Sequence, residues 1–258
     1  MPVMVGKIPV VILAGGNTPD NIIESGESEK ERAFIDVCGR PMLGWVLDAV
    51  RTSGSIGEIL VIGNSKRMKD VFGFADNEIA EQKSSMLENL MIGMNAFRDQ
   101  KRVLVVTCDI PLITTGILDD LIGQIYQIEA DIHYPIVDVA YFDERFPGSH
   151  RTTQKLKEGT FTGGNIFQLS PGPVIANRER VEAVIRDRKS PAKLVKLFGM
   201  GFILKFALRQ LDLKGLESKA SQILGAKMRA VLTKHPQVGL DVDKSDDLKL
   251  VREVLGRA

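Results

Sequence analysis

A few aspartates and two glycine pairs carry the chemistry that this sequence could perform. Asp109 closes an apolar run in Thr107-Cys108-Asp109-Ile110-Pro111. Ligands of open α/β sheets bind beyond the carboxyl ends of the strands. A carboxylate there suits Mg²⁺, which takes a few carboxylates together with phosphate oxygens. Asp109 could equally cap a helix or shape a turn with Pro111. Near the C-terminus stands Asp241-Val242-Asp243-Lys244-Ser245-Asp246-Asp247-Leu248. Alternation along an extended segment puts Asp241 and Asp243 on one face, where either could join Asp109 on a metal. Asp243 or Ser245 could instead cap a final helix, with Asp246 and Asp247 complementing its dipole.

The glycine pairs admit a ligand differently. Leu13-Ala14-Gly15-Gly16 ends an apolar run, so backbone N–H groups there could approach a phosphate or a base edge. A tight strand-to-loop turn accounts for these four residues equally well. Gly163-Gly164-Asn165 leaves room beside an amide that both donates and accepts; an ordinary turn is the alternative.

These residues need elements to hold them. Val10 to Leu13, Glu58 to Gly63 and Val103 to Val106 are β-branched apolar runs, as expected for strands buried on both faces. Asp131 to Val137 and Ile166 to Leu169 read as further strands. The segment Asn17 to Glu31 is polar, and a long, mobile loop is expected there. Helices are expected after Pro41, with Leu43, Val46, Leu47 and Val50 on one face, and over Met86–Phe97, Leu118–Gln127 and Lys244–Leu255. Val181 to Leu224 reads as helical. Val231-Leu232 and Val238 to Asp243 read as short extended pieces. The alternation of strand and helix predicts an α/β fold, a three-layer α/β/α sandwich around a mostly parallel, Rossmann-like sheet. One domain over residues 1–258 is expected, with a helical elaboration at about 174–232.

The totals bound the function. The chain has 258 residues, 34 basic against 33 acidic, 44% hydrophobic and 26% charged. This balance gives no reason to expect a nucleic-acid or membrane partner. Cys38 and Cys108 lack metal-ligand spacing, and two cysteines make no disulfide framework; a reducing cytoplasm is the expected compartment. The first apolar run is too short for a membrane span and is read as a strand. His133, His150 and His235 share no metal spacing and are expected to be structural or at the surface. A monomer or homodimer is expected. The apolar run 194–211, interspersed with Lys193, Lys196, Lys205 and Arg209, reads first as helices covering the sheet, then as a dimer face, and last as a basic amphipathic surface against lipid or an apolar acceptor.

Taken in order, four segments resemble the MobA-like nucleotidyltransferase family, of GT-A-type α/β fold. They are Val11 to Gly16, Arg32-Ala33-Phe34 through Gly39-Arg40-Pro41-Met42-Leu43, Val105 to Pro111, and Gly239 to Asp243 through Leu248. The resemblance implies a Mg²⁺-dependent enzyme that moves a nucleotide from a nucleoside triphosphate to a phosphorylated small-molecule acceptor and releases pyrophosphate. It implies Leu13, Ala14, Gly15 and Gly16 for the nucleotide, Asp109 for metal and catalysis, and Asp243, with Asp241 beside it, as the metal's other support. Ser84 and Ser85 correspond to the turn that meets the base or ribose. Arg32 takes a phosphate-bridging place usually held by lysine, with Lys30 two residues earlier; arginine keeps the charge but not the geometry. The loop continues as Asn17-Thr18-Pro19-Asp20, where members usually have further glycine and an arginine. Tyr134, Arg151, Thr162, Gly164 and Asn165, in the less regular middle of the chain, and Lys189 are candidate acceptor contacts. A nucleotide-binding regulatory protein on the same fold and a GT-A-type glycosyltransferase are the alternatives; fold analogy alone does not choose among them.

Overall fold

A computed structural model describes residues 6–149, 151–187, 198–208 and 210–257. β1 (Ile8–Leu13) leads into α1 (Asp20–Glu24), a 3₁₀ turn (Arg32–Phe34) and a ribbon of β2 (Asp36–Val37) and β3 (Arg40–Pro41). The chain then alternates through α2 (Met42–Thr52), β4 (Ile56–Gly63), α3 (Ser65–Phe72), β5 (Ile79–Glu81), α4 (Met86–Ala96), β6 (Val103–Thr107), α5 (Thr115–Tyr126) and β7 (Ile132–Asp138). After α6 (Val139–Arg145) come β8 (Gln154–Leu156), β9 (Gly159–Gly163) and β10 (Ile166–Leu169). The rest comprises α7 (Pro171–Ala176), α8 (Arg178–Asp187), α9 (Met200–Ala207), α10 (Leu213–Leu224), β11 (Met228–Thr233), a 3₁₀ turn (Pro236–Gly239) and α11 (Ser245–Gly256).

The main sheet runs β5-β4-β1-β6-β10-β7-β9-β8, with β11 on β7. β1 pairs in parallel with β4 and β6, as β4 does with β5 and β7 with β11. The expected mostly parallel α/β sandwich is therefore what forms. β10 departs from it, lying antiparallel between β6 and β7. β9 and β10 follow the same edge of β7, since β11 pairs along the other edge over Ile132–Val137.

Both faces of the sheet are buried, which explains the unbroken apolar runs. Ile8, Val10 and Ile12 of β1 share a cluster with Leu43, Val46 and Leu47 of α2 and Leu118 and Leu121 of α5. Val11 points the other way and packs with Leu87, Leu90, Met91 and Met94 of α4 and with Val174 and Val181 of α7 and α8. A third cluster joins Ile22 of α1, Ile35, Val37 and Met42 to Leu240, Val242, Leu248 and Val251. It fastens the segment after β1 to the C-terminal helix.

Several expectations change. Residues 17–31 are not one long loop. Ile22 is fully buried in the third cluster, and it seats α1 there. Thr18 N–H donates to the Lys30 carbonyl at 2.8 Å, and Asn17 bridges Glu31, so the segment doubles back on itself. α5 starts three residues before Leu118 because the Thr114 side chain accepts from Ile117 N–H. Of the stretch expected to be helical after Val181, residues 188–197 lie outside the described residues; Gly199, with a φ of 85°, interrupts it before α9, and a second break precedes α10, where the Asp212 side chain accepts from Gly215 N–H. Met228–Thr233 is a six-residue strand rather than a short extended piece. The piece expected at Val238 begins inside a 3₁₀ turn.

α4 crosses β1 closely at Gly93, where an added Cβ would lie 2.7 Å from both Val11 methyl carbons. Gly93→Ala gains roughly 1 kcal/mol of helix propensity but overpacks the layer by about 1–3 kcal/mol. A small net loss is expected, and a larger one for Gly93→Leu. Urea midpoints measure it; an unchanged midpoint in Gly93→Leu would show that α4 does not lie on β1 this way.

Candidate active site

β1 and β6 end side by side, with Leu13 opposite Thr107. Cys108 N–H donates to the Leu13 carbonyl at 3.2 Å, so the chain emerges from β6 with Asp109 beside the β1 glycines. Asp109 is 6% exposed. Thr107 Oγ1 donates to its Oδ1 at 2.6 Å, and Arg32 Nη1 pairs with its Oδ2. Its own carbonyl accepts Val242 N–H at 2.9 Å, which draws in the C-terminal segment. Leu240 and Val242 are fully buried, and alternation aims the residues between and after them the other way. Asp109, Asp241 and Asp243 thus each offer a carboxylate oxygen within 4.8 Å of the others.

Three carboxylates so close repel one another. The Asp241 carboxyl is pushed up to about 7, first by burial and then by the charges of Asp109 and Asp243, with Arg151 opposing. Hard oxygen donors under mutual repulsion are what a small divalent cation relieves, so the donor set fits Mg²⁺.

Two guanidinium groups contain this charge. Arg32 joins Asp109 to Asp243, the latter at 3.0 Å. Its backbone N–H donates to the Gly16 carbonyl at 3.2 Å, which fixes the 3₁₀ turn against the glycine loop. Arg67 braces the same segment. It pairs with Glu29 at 2.6 Å and Glu31 at 3.2 Å, and its guanidinium lies 3.9 Å from the Phe34 ring centre. Lys30 is exposed within that segment. On the far side, Arg151 donates to the Asp241 carboxylate at 3.0 Å, to its carbonyl at 3.1 Å and to Asp247 at 2.8 Å. Asp247 also accepts the backbone N–H groups of Asp243 at 3.2 Å and Lys244 at 2.9 Å. It holds the first turn of α11 and the preceding strand-like segment in one piece.

The glycine loop is pinned at its root and walled on one side. Ala14 N–H donates to the Ile62 carbonyl at 2.8 Å. Gly16 has a φ of 118°, open to glycine and costly for other residues. A Cβ on Gly15 would sit 2.2 Å from Gln82 Oε1 and 3.4 Å from Asn89 Nδ2. Gln82 and Asn89 therefore face the loop, and neither is among the residues expected at the site from sequence. The signal available was a polar stretch directly after a strand. Ser85 caps α4, in a reciprocal pair with Glu88, and Ser84 donates to the same Glu88 carboxylate at 3.2 Å.

The candidate acceptor contacts separate. Asn165 is drawn to the site: its carbonyl accepts Thr107 N–H at 3.2 Å, its N–H donates to the Val238 carbonyl at 2.8 Å, and its side-chain amide makes no hydrogen bond among the described residues. Gly164 allows close packing, since a Cβ there would lie 2.7 Å from Val238 Cγ1. Thr162 is buried and donates to the Thr152 carbonyl at 3.1 Å. Tyr134 stacks on Phe167 at 5.4 Å and joins the satellite cluster around Ile136, Phe161 and Leu211. Arg151 spends its guanidinium on the aspartates. Lys189 and His150 lie outside the described residues. His133 is buried, with Nε2 3.0 Å from the Ile128 carbonyl, and His235 reaches Asp120 at 3.0 Å.

A strand-end acidic centre beside a glycine loop, on a mostly parallel sheet, defines a protein of the nucleotide-transferring α/β class. Residues 10–197 match the MobA-like NTP transferase domain, and the chain belongs to that family. A structure described as a hypothetical transferase from Thermus thermophilus is 32% identical, with a TM-score of 0.82 over 94% of this chain and 99% of that one. A 4-diphosphocytidyl-2C-methyl-D-erythritol synthase from Anaerococcus prevotii shares the fold at 14% identity, with a TM-score of 0.60 over 98% of this chain and 97% of that one. The bifunctional protein GlmU of Thermoanaerobacter pseudethanolicus is 28% identical over 125 residues, 46% of this chain and 25% of that protein. The chain thus spans about a quarter of the curated relatives' length.

The Arg67 brace gives a pH test. The Arg67 guanidinium holds the Glu29 carboxyl down to about 2 from its ordinary 4.5. A lowered folded-state value stabilises the fold above 4.5, and that contribution disappears as pH falls from 4.5 through about 2. Glu29→Gln should flatten the urea midpoint across that window, and a midpoint that falls as steeply as in the wild type would remove the brace from the account.

Proposed function

We propose that the chain transfers a nucleoside monophosphate from a nucleoside triphosphate to a phosphorylated small-molecule acceptor, with Mg²⁺ as cofactor and pyrophosphate as product. The observation that carries this reading is the convergence of Asp109, Asp241 and Asp243 beside Arg32 and the Gly15-Gly16 loop. Nucleotide transfer is the business of the family as a whole; the acceptor class and the metal are our reading.

The geometry supports the following roles. The Gly15 and Gly16 backbone, with Leu13 and Ala14 leading into it, lies against the triphosphate. Gln82 and Asn89, which flank Gly15, offer amide donors and acceptors to a base edge. Arg32 exchanges its carboxylate partners for the β- and γ-phosphates, with Lys30 within the same segment. Asp109, Asp241 and Asp243 would hold the metal, which would supply neutralisation of phosphate charge. Arg151 and Asp247 keep two of these carboxylates in place and touch no reactant. The Asn165 amide, which makes no hydrogen bond among the described residues, meets the acceptor. An acceptor phosphate oxygen attacks the α-phosphorus in line. The new P–O bond forms as the bond to the pyrophosphate oxygen breaks, and pyrophosphate leaves with that electron pair. The chain supplies positioning and charge neutralisation rather than a covalent intermediate.

The test pairs thermal shift for ATP, GTP, CTP and UTP, each with and without Mg²⁺, with pyrophosphate release in a screen of sugar and polyol phosphates. One nucleotide should stabilise the protein only with Mg²⁺, and Asp109→Asn should remove that shift and lower pyrophosphate release at least about a hundredfold. Unchanged Mg²⁺-dependent binding in Asp109→Asn sinks the metal assignment. Release of a nucleoside diphosphate from a nucleotide-sugar would make the chain a glycosyltransferase. Binding without any release would make it a regulatory protein.

A further inference from the structure

The N-terminal ends of β1 and β6 border a cleft of about 340 Å³. Lys7 leads into β1, and Lys101 and Arg102 lead into β6. All three line the cleft, with Gln100 and Tyr126 beside them, and no acidic residue lines it. The two strands run parallel, so this cleft and the acidic centre lie at opposite ends of the same pair. From Arg102 to Thr107 the chain rises roughly 17 Å.

Arg102 stands apart from the comparable guanidinium groups. Arg32, Arg40, Arg67, Arg151, Arg229 and Arg252 are the other half-buried arginines among the described residues, and each pairs with a carboxylate. Among those residues Arg102 pairs with none. Its guanidinium lies 4.7 Å from the Tyr126 ring centre, and its Nη2 donates to the Ile128 carbonyl at a long 3.4 Å. Its Nη1 is closed off from solvent and has no hydrogen-bond partner among the described residues. The Tyr126 hydroxyl is committed to the Gly6 carbonyl at 3.0 Å. Lys7 and Lys101 are exposed, and they too form no ion pair among the described residues.

Three cations thus share one cleft without a counter-charge. The chain has 34 basic and 33 acidic residues, so the cluster is not part of a general basic surplus. An enclosed donor without a partner is costly, and more so when it carries charge. An anion in the cleft would supply what is missing. A guanidinium fork and two ammonium groups suit oxyanions, and three positive charges suit one that carries two or more negative charges. A cleft of this size takes a small molecule.

We propose that this cleft binds a small multivalent oxyanion, of the phosphate or polycarboxylate class, through Lys7, Lys101 and Arg102. Such a ligand ties the start of β1 to the start of β6. The site is separate from the acidic centre and stands whether or not that centre is catalytic.

His133 reports on the cleft, because its Nε2 lies 3.0 Å from the same Ile128 carbonyl that Arg102 reaches. The chain has three histidines, so NMR of the histidine rings resolves it. The full chain is titrated with inorganic pyrophosphate or with citrate, in metal-free buffer at constant ionic strength. A saturable shift of the His133 signals is expected with at least one of the two, and the tighter binder gives the class. Lys7→Gln/Lys101→Gln should weaken that binding at least about tenfold. Arg32→Ala, at the acidic centre, should leave it unchanged. No saturable shift with either anion, an undiminished affinity in the lysine variant, or a shift lost in Arg32→Ala overturns the proposal.

Discussion

Two unit charges 4.8 Å apart repel by roughly 3–4 kcal/mol at an effective dielectric of about 20. Asp109, Asp241 and Asp243 form three such pairs at the edge of an apolar core. The surroundings of the centre answer that repulsion. Arg32 lies between two of the carboxylates, Arg151 sits behind the third, and Thr107 donates to the first. Each of these supports is then supported. Arg32 is held by Gly16 and by the segment that Arg67 clamps, and Arg151 is held by Asp247, which also organises the first turn of α11. A surplus of negative charge held in place by guanidinium groups is the feature on which the proposed metal and polyphosphate site rests.

The sheet explains why these residues meet at all. Asp109 and Gly15 leave neighbouring parallel strands at the same end, so their proximity follows from the β1–β6 register. Asp241 and Asp243 arrive from the far end of the sequence because Leu240 and Val242 are buried with Val137 and Leu248. The antiparallel β10 brings Asn165 alongside Thr107. The acidic centre is thus assembled from four chain segments, each fixed by apolar burial rather than by the charges themselves.

Much of this was legible in the residues. Unbroken β-branched runs identify doubly buried strands, and the alternation Leu240-Asp241-Val242-Asp243 separates the two carboxylates from the core. What could not be read required partners distant in the chain. Nothing near Arg151 announces that its guanidinium closes on Asp241 and Asp247, 90 and 96 residues away. The wall of Gln82 and Asn89 against Gly15 depends on where β5 and α4 dock. β10 inserts between β6 and β7 against the parallel grain, a choice made by strand pairing and not by any local pattern. α1 is not legible as a helix because one buried isoleucine, Ile22, decides it amid polar neighbours.

The central claim is that Arg32 and a divalent metal share one set of carboxylates. Titrating Mn²⁺ into the nucleotide-free protein, with the free ion followed by electron paramagnetic resonance, tests it most directly. Arg32→Ala should bind Mn²⁺ several-fold more tightly than the wild type, because the competing cation is gone, and Asp109→Asn in the same background should abolish that binding. Equal or weaker Mn²⁺ affinity in Arg32→Ala would contradict the account, for the guanidinium and the metal would then not occupy the same place.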